Sequence, residues 1–256
     1  SVPDLLSRLC FPRVKEAGKS RGSACTETVR LMTGKRSEFV VLVPQKHVRG
    51  AKSRLSSLLS IEARQELIVQ LLLRTLAICR DLPGKSGFFL CGPEDFANTA
   101  AEYGADFLPG GAGGMRRDLT LASEDWRILG KAAMLVVSTD LPLLTVEDLQ
   151  QVVNEWKRSA DVVICPDRHL RGTNVLMVNE PEHFRYAFGD VSGPGSFALH
   201  IAQAKGTGLT VAVVENPRLG LDLDLPQDLA AFIAATPDDP IAQRIRAGFR
   251  DAFKFE

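Results

Sequence analysis

From residue 39 onward, short continuous apolar runs alternate with longer stretches in which apolar residues recur every three or four positions. Phe39 to Val43 is unbroken and rich in β-branched side chains, the texture of a strand buried on both faces. Gly87 to Cys91, Ala133 to Val137 and Val162 to Cys165 repeat it, and Asn174 to Val178 and Leu209 to Val214 read as further strands. Helical periodicity fills the intervals. One helix opens at Ser60, an N-cap with Glu62 in the first turn, runs through Leu67, Leu71, Leu72 and Leu76, and stops near Pro83 and Gly84. A second starts at Pro93 and stops at Gly104. Thr145 and Asp148 have capping spacing for a third through Trp156, and Ser196 to Lys205 gives a fourth, ended by Gly206. Such alternation requires crossover helices covering both faces of a mostly parallel sheet, with ligands in the crevice at the carboxyl ends of its strands.

The chain ends differ from this middle. Residues 1–38 carry eight basic and four acidic side chains and one apolar cluster, Leu5 to Phe11, and read as an N-terminal extension. The folded unit is expected over residues 39–236, followed by a C-terminal helical extension, 237–256. There Ile241, Ile245, Phe249 and Phe253 fall four apart and make one apolar stripe. The stripe packs either on the domain or on another subunit, which leaves room for a homodimer.

Composition narrows the partners. With 256 residues, 45% of them apolar, the chain can bury a substantial core. Lysine plus arginine and aspartate plus glutamate both count 31, so no global charge draws it to nucleic acid or to a membrane surface. No apolar run approaches the roughly 18 to 20 residues that span a bilayer. The five cysteines are scattered, odd in number and without metal-site spacing, which reads as reduced thiols in a cytoplasm.

Candidate chemistry sits at the strand ends. The first strand runs into Val43-Pro44-Gln45-Lys46, and Gly50 to Leu55 adds Lys52, Ser53 and Arg54. Such a cationic loop suits a triphosphate, with ammonium and guanidinium groups offsetting charge and Ser53 adding a directed hydrogen bond; equally, it is a solvated loop. The GxxxxGK[ST] spacing of a Walker loop is absent. Asp140 follows the third buried run, where a carboxylate either coordinates magnesium or forms the Asp-Leu-Pro turn. In Leu221-Asp222-Leu223-Asp224-Leu225-Pro226 an extended backbone points both aspartates to one side. A D-x-D triplet arises by chance about once in a chain of this length, but an apolar setting makes paired carboxylates unfavourable unless something binds them.

Pro166 to Asn174 and Gly193-Pro194-Gly195-Ser196 look like anion cradles, the second opening a helix whose free amides attract phosphate. Ser196 is alternatively an ordinary N-cap. His169 reads as a loop or substrate-contacting residue, while His47, His183 and His200 show no distinctive pattern. Gly110 to Gly114 either brings backbone close to a base or is simply flexible.

Taken in order, Pro44-Gln45-Lys46 with Ala51-Lys52-Ser53-Arg54-Leu55, Asp140-Leu141-Pro142-Leu143-Leu144, Pro166-Asp167-Arg168-His169, Gly172-Thr173-Asn174, Gly193-Pro194-Gly195-Ser196-Phe197 and Leu221-Asp222-Leu223-Asp224 resemble the phospholactate guanylyltransferase family of deazaflavin coenzyme F-420 biosynthesis, from about residue 39 to residue 232. The resemblance implies an α/β, Rossmann-like (GT-A-like) nucleotidyltransferase fold. It implies that Asp140, Asp222 and Asp224 hold Mg2+, with Lys46 beside them as a further catalytic group. Pro44, Lys46, Lys52, Ser53, Arg54 and Gly114 would meet GTP, and Thr173, Asn174, Gly193 and Ser196 the acceptor, a small phosphorylated carboxylic acid: 2-phospholactate, phosphoenolpyruvate or 3-phosphoglycerate. Rival readings are a similar enzyme using CTP or another acceptor, and a catalytically silent nucleotide-binding protein.

Overall fold

The continuous apolar runs become the middle of one sheet, because only a strand covered on both faces can bury every side chain it carries. A computed structural model describes residues 38–50, 52–189 and 193–249. The Leu5 to Phe11 cluster, Asp190 to Ser192 and Phe253 lie outside the described residues. The seven strands are β1 (Phe39–Pro44), β2 (Lys85–Gly92), β3 (Asp106–Pro109), β4 (Ala133–Val137), β5 (Val162–Pro166), β6 (Thr173–Asn179) and β7 (Val211–Val213), in the order β3-β2-β1-β4-β6-β5-β7. All neighbours pair in parallel except β6, which runs antiparallel to both β4 and β5. Strand order reverses between β1 and β4, which places the binding crevice at their carboxyl ends. Because β6 is reversed, its first residues, Thr173 and Asn174, arrive at that same edge, with Val175 opposite Val137.

The long helices match their capping signals. Helix α1 (Ile61–Asp81) starts after Ser60, whose hydroxyl accepts from the Ala63 amide. Where one helix is expected from Pro93, a 3-10 turn (Glu94–Phe96) leads into the short α2 (Ala97–Glu102). Helix α3 (Met115–Ser123) follows the glycine-rich loop, and α4 (Val146–Arg158) has the full Thr145–Asp148 capping box. Then come α5 (Ser196–Gly206), the single-turn α6 (Pro217–Gly220), α7 (Pro226–Ala235) and α8 (Pro240–Phe249). Strand β7 is shorter than its apolar run because Thr210 is turned aside by Asp161, which accepts from both its amide and its hydroxyl.

Alternate β1 residues feed opposite faces of the sheet. Phe39, Val41 and Val43 pack with α1 and α4, where Trp156 is fully buried; Val40 and Leu42 pack with Leu119 of α3, Ala204 of α5 and Tyr186. A third cluster lies beside the crevice and joins Leu55, Leu67, Leu71, Leu221, Leu223, Leu229 and Phe232 to Ile241, Ala242 and Ile245 of α8. Ile241 and Ile245 of the C-terminal stripe therefore face their own domain, and the side chains of Phe249 and Phe253 lie outside what is described. No described helix is long and apolar enough to cross a membrane.

Ile245 is 6% exposed within this third cluster. Ile245→Ala should lower stability by about 2–4 kcal/mol, and the urea midpoint of the variant should not depend on protein concentration. A midpoint that rises with concentration would instead place this face in a subunit interface.

Candidate active site

Asp140 lies three residues past β4, and the Leu221–Leu225 strip is tied alongside it by the Leu223 amide, which donates to the Asp140 carbonyl at 3.1 Å. Leucines and aspartates alternate along the strip. Leu221 and Leu223 are buried in the cluster with α1 and α7, so Asp222 and Asp224 are turned toward the crevice. One oxygen from each of Asp140, Asp222 and Asp224 lies within 4.8 Å of the others.

The basic loop enters the same space. Lys52, in a left-handed backbone conformation at φ 55°, opens the 3-10 turn Ser53–Leu55, and buried Leu55 anchors that turn. The Lys52 side chain is 9% exposed, and its ammonium donates to Asp140 Oδ2 and Asp224 Oδ1, both at 2.9 Å. Arg54 stands 3.8 Å from Asp224 Oδ2. Burial alone would lower the Lys52 pKa, but the two carboxylates hold it well above the usual lysine range. Burial would likewise raise the Asp140 pKa; Lys52 reverses that and holds it below the ordinary value, with Lys46 contributing. Among the described residues no cation is hydrogen-bonded to Asp222, and the charge of Lys52 only partly offsets its surroundings. Burial, then the charges of Asp140 and Asp224, push the Asp222 pKa up to about 7.

This donor set fits a divalent cation. All three groups offer carboxylate oxygen, the preference of hard ions such as magnesium, and a lysine ammonium already acts as a monovalent stand-in between two of them.

Other residues singled out from the sequence fall around this centre. Pro44 ends β1 in the core, and Lys46 and Ser53 are exposed nearby. Asn174 is buried and spends its amide on the Leu219 carbonyl at 2.8 Å, while Thr173, also buried, bonds to His200. Gly195, not Ser196, is the N-cap of α5, and the Phe197 amide is taken by the Arg171 carbonyl at 3.1 Å. A Cβ on Gly195 would meet that carbonyl oxygen at 2.0 Å, so only glycine allows this docking. Gly193 precedes it in the turn. Gly114 caps α3 on the β2–β3 side of the sheet, where Gly110 donates to the Gly92 carbonyl and Gly111 to Asp118.

Sequence reasoning missed the braces. Asp228 is buried, and its Oδ2 accepts from the Asp224 and Leu225 amides at 3.1 and 2.6 Å while its Oδ1 pairs with Arg168. The Arg168 amide in turn donates to the Gly220 carbonyl at 2.8 Å. An aspartate three residues past Leu225 and two past Pro226 is a recognisable N-terminal helix signal; its pairing with Arg168 leaves no local mark. Asp148, which is also buried, pairs with Arg218 and Asn216 and so fixes α6 to α4 just before the acidic strip.

A carboxyl whose folded pKa lies above its unfolded value binds its proton more tightly when folded. Its stabilising effect is complete below about pH 4 and is lost as pH rises through about 7. Metal-free Asp222→Asn should therefore be more stable than the parent by about 1–3 kcal/mol at pH 8, with the gap closing at low pH. Urea unfolding in chelator across pH checks this; an equal gap at every pH would contradict it.

Over residues 39–240 the sequence matches the family described as CofC-like guanylyl transferase. A phosphoenolpyruvate guanylyltransferase of Rubrobacter xylanophilus is 34% identical over 206 residues, covering 78% of this chain and 95% of that protein. The enzyme of the same name from Chloroflexus aurantiacus is 32% identical over 188 residues, covering 72% and 89%. Among solved structures, a protein assigned as a nucleotide-diphospho-sugar transferase from Desulfovibrio desulfuricans G20 superposes with a TM-score of 0.65 at 14% identity, covering 84% of this chain and 97% of the other. A nucleotidyl transferase from Methanothermobacter thermautotroptrophicus gives 0.51 at 11%, covering 77% and 98%. At those identities the structural likeness concerns the fold, and it agrees with the nucleotidyltransferase architecture implied by the sequence.

Proposed function

The chain belongs to the CofC-like guanylyl transferase family, and we propose that it transfers GMP from GTP to the phosphate of a small phosphorylated carboxylic acid, releasing pyrophosphate, in deazaflavin coenzyme F-420 biosynthesis. Phosphoenolpyruvate is the acceptor of choice, because the relatives at 32% and 34% identity carry that name. The observation that carries the reading is the convergence of three carboxylates with Lys52 at the crevice end of β1 and β4.

In this reaction an acceptor phosphate oxygen attacks the α-phosphorus of GTP, a new P–O bond forms, and the bond to the bridging oxygen breaks as pyrophosphate leaves with its electron pair. No protein nucleophile takes part, so the chain's work is positioning and charge neutralisation. Asp140, Asp222 and Asp224 would hold magnesium, which supplies Lewis-acid neutralisation of phosphate charge when bound. Lys52 and Arg54 reach the acidic centre and, with Lys46 two residues past β1, are suited to the triphosphate, with Ser53 as a hydrogen-bond donor. Thr173, Gly193 and Ser196 stand on the acceptor side, with Asn174 behind them. The described cysteines, Cys79, Cys91 and Cys165, are free and buried, which suits a reducing cytoplasm.

Pyrophosphate release should require GTP, a divalent cation and one of the three acids, with CTP and ATP inactive and chelation abolishing it. Asp140→Ala and Asp222→Ala should each reduce transfer by roughly a hundredfold or more, with the circular dichroism of the parent. Near-normal turnover in either folded variant would remove the metal assignment.

A further inference from the structure

His200 is fully buried, and the reaction above does not use it. It nevertheless makes two hydrogen bonds of different sense. Its Nε2 lies 2.9 Å from the amide nitrogen of Ala187, and a backbone N–H can only donate, so Nε2 carries no proton. A neutral imidazole then holds its proton on Nδ1, and burial keeps this ring neutral, with its pKa pushed down to about 4. Nδ1 lies 3.1 Å from Thr173 Oγ1, so the ring donates and the threonine hydroxyl accepts.

That polarity has a consequence for Thr173. Its hydroxyl proton is left to point elsewhere, and among the described residues it donates to nothing. Thr173 begins β6, at the sheet edge where Asp140 also emerges, and is 5% exposed. Ser196 lies one helical turn before His200 on the same side of α5. Phe184 and Phe188 stand against the imidazole with ring centroids at 5.6 and 4.9 Å, which opposes a ring flip that would exchange the two nitrogens.

We propose that His200 is a positioning residue for the acceptor: through a fixed Nδ1–H tautomer it makes Thr173 an obligatory donor toward an anionic oxygen of the phosphorylated acid. By the same two bonds it joins the start of β6 to the Ala187 segment that leads toward Gly193 and Ser196. This inference rests on the guanylyltransferase reading and on Thr173 facing the acceptor.

Two substitutions separate the bonds. In His200→Asn the side-chain amide occupies the Nδ1 position and keeps the donor to Thr173. In His200→Gln the amide reaches the Nε2 position, keeps the acceptor for Ala187 and loses the donor. His200→Gln should raise the KM for the acid about tenfold with the KM for GTP unchanged, and His200→Asn should stay within about threefold. The penalty of His200→Gln should vanish in a Thr173→Val background, where there is no hydroxyl to orient. Long-range 1H–15N NMR of the parent should show the Nδ1–H tautomer for the histidine signal that His200 variants lose.

An Nε2–H or doubly protonated ring at neutral pH would overturn the proposal whatever the activity. Equal rises in both KM values, or penalties that add to that of Thr173→Val, would overturn it while leaving the guanylyltransferase reading in place. A parent that transfers no GMP to any of the three acids would instead remove that reading and with it the acceptor role of Thr173, even if the tautomer is as expected.

Discussion

Three carboxylates held within 4.8 Å of one another repel, and partial burial makes each charge harder to keep. The residues around the crevice can be understood as the means of tolerating that repulsion. Lys52 sits between Asp140 and Asp224. The strip that carries Asp222 and Asp224 cannot relax away, because it is fixed at every step: Leu221 and Leu223 are sunk in the core, the Leu223 amide is bonded to the Asp140 carbonyl, and Asp228 holds the Asp224 and Leu225 amides. The hydrophobic alternation is thus part of the electrostatics, since it converts burial of leucines into convergence of aspartates.

The reversed strand β6 divides the labour of the two halves of the site. Adjacent residues of a strand point to opposite faces. Thr173 and Asn174 are adjacent, and both are buried at the crevice edge. Thr173 is engaged by His200 of α5, on the side of Gly193 and Ser196, while Asn174 grips the Leu219 carbonyl of α6, immediately ahead of the acidic strip. One dipeptide therefore sets the turn of Gly193 and Ser196 and the acidic strip in register. Arg168 extends this link, with its amide on Gly220 and its guanidinium on Asp228. The loop from Pro166 to Asn174, which reads in sequence as an anion cradle, is in large part a brace for its neighbours.

What the sequence discloses depends on whether a signal is local. β1, β4 and β6 are legible because each has both faces covered and so reads as an unbroken apolar run. β3 is not: as an edge strand it buries Leu108 and leaves Asp106 and Pro109 exposed, which carries no periodicity. Helix α3 was hidden by the glycines before it and by Arg116 and Arg117 in its first turn. Asp140, Asp222 and Asp224 could be singled out because each follows an apolar stretch that makes a carboxylate conspicuous. His200 could not, since its partner Thr173 lies 27 positions away and the surrounding residues of α5 look like ordinary helix. The pairing of Asp228 with Arg168, 60 positions apart, is silent for the same reason.

The unequal titration of the acids shows how much charge the fold itself can supply. A single ammonium offsets one unit, and Lys52 shares that unit between Asp140 and Asp224. Asp140 is held ionised against its burial, whereas Asp222, left to face both neighbours, is pushed to about 7. The remaining imbalance shows at Asp222. Replacing Asp222 by an uncharged isostere would ease that strain, yet it would also remove one of the oxygens on which a hard divalent ion depends. In such an arrangement stability and cation affinity would pull in opposite directions: a cluster stable by itself would have little electrostatic reason to take up a cation, and this one keeps Asp222 against two further carboxylates.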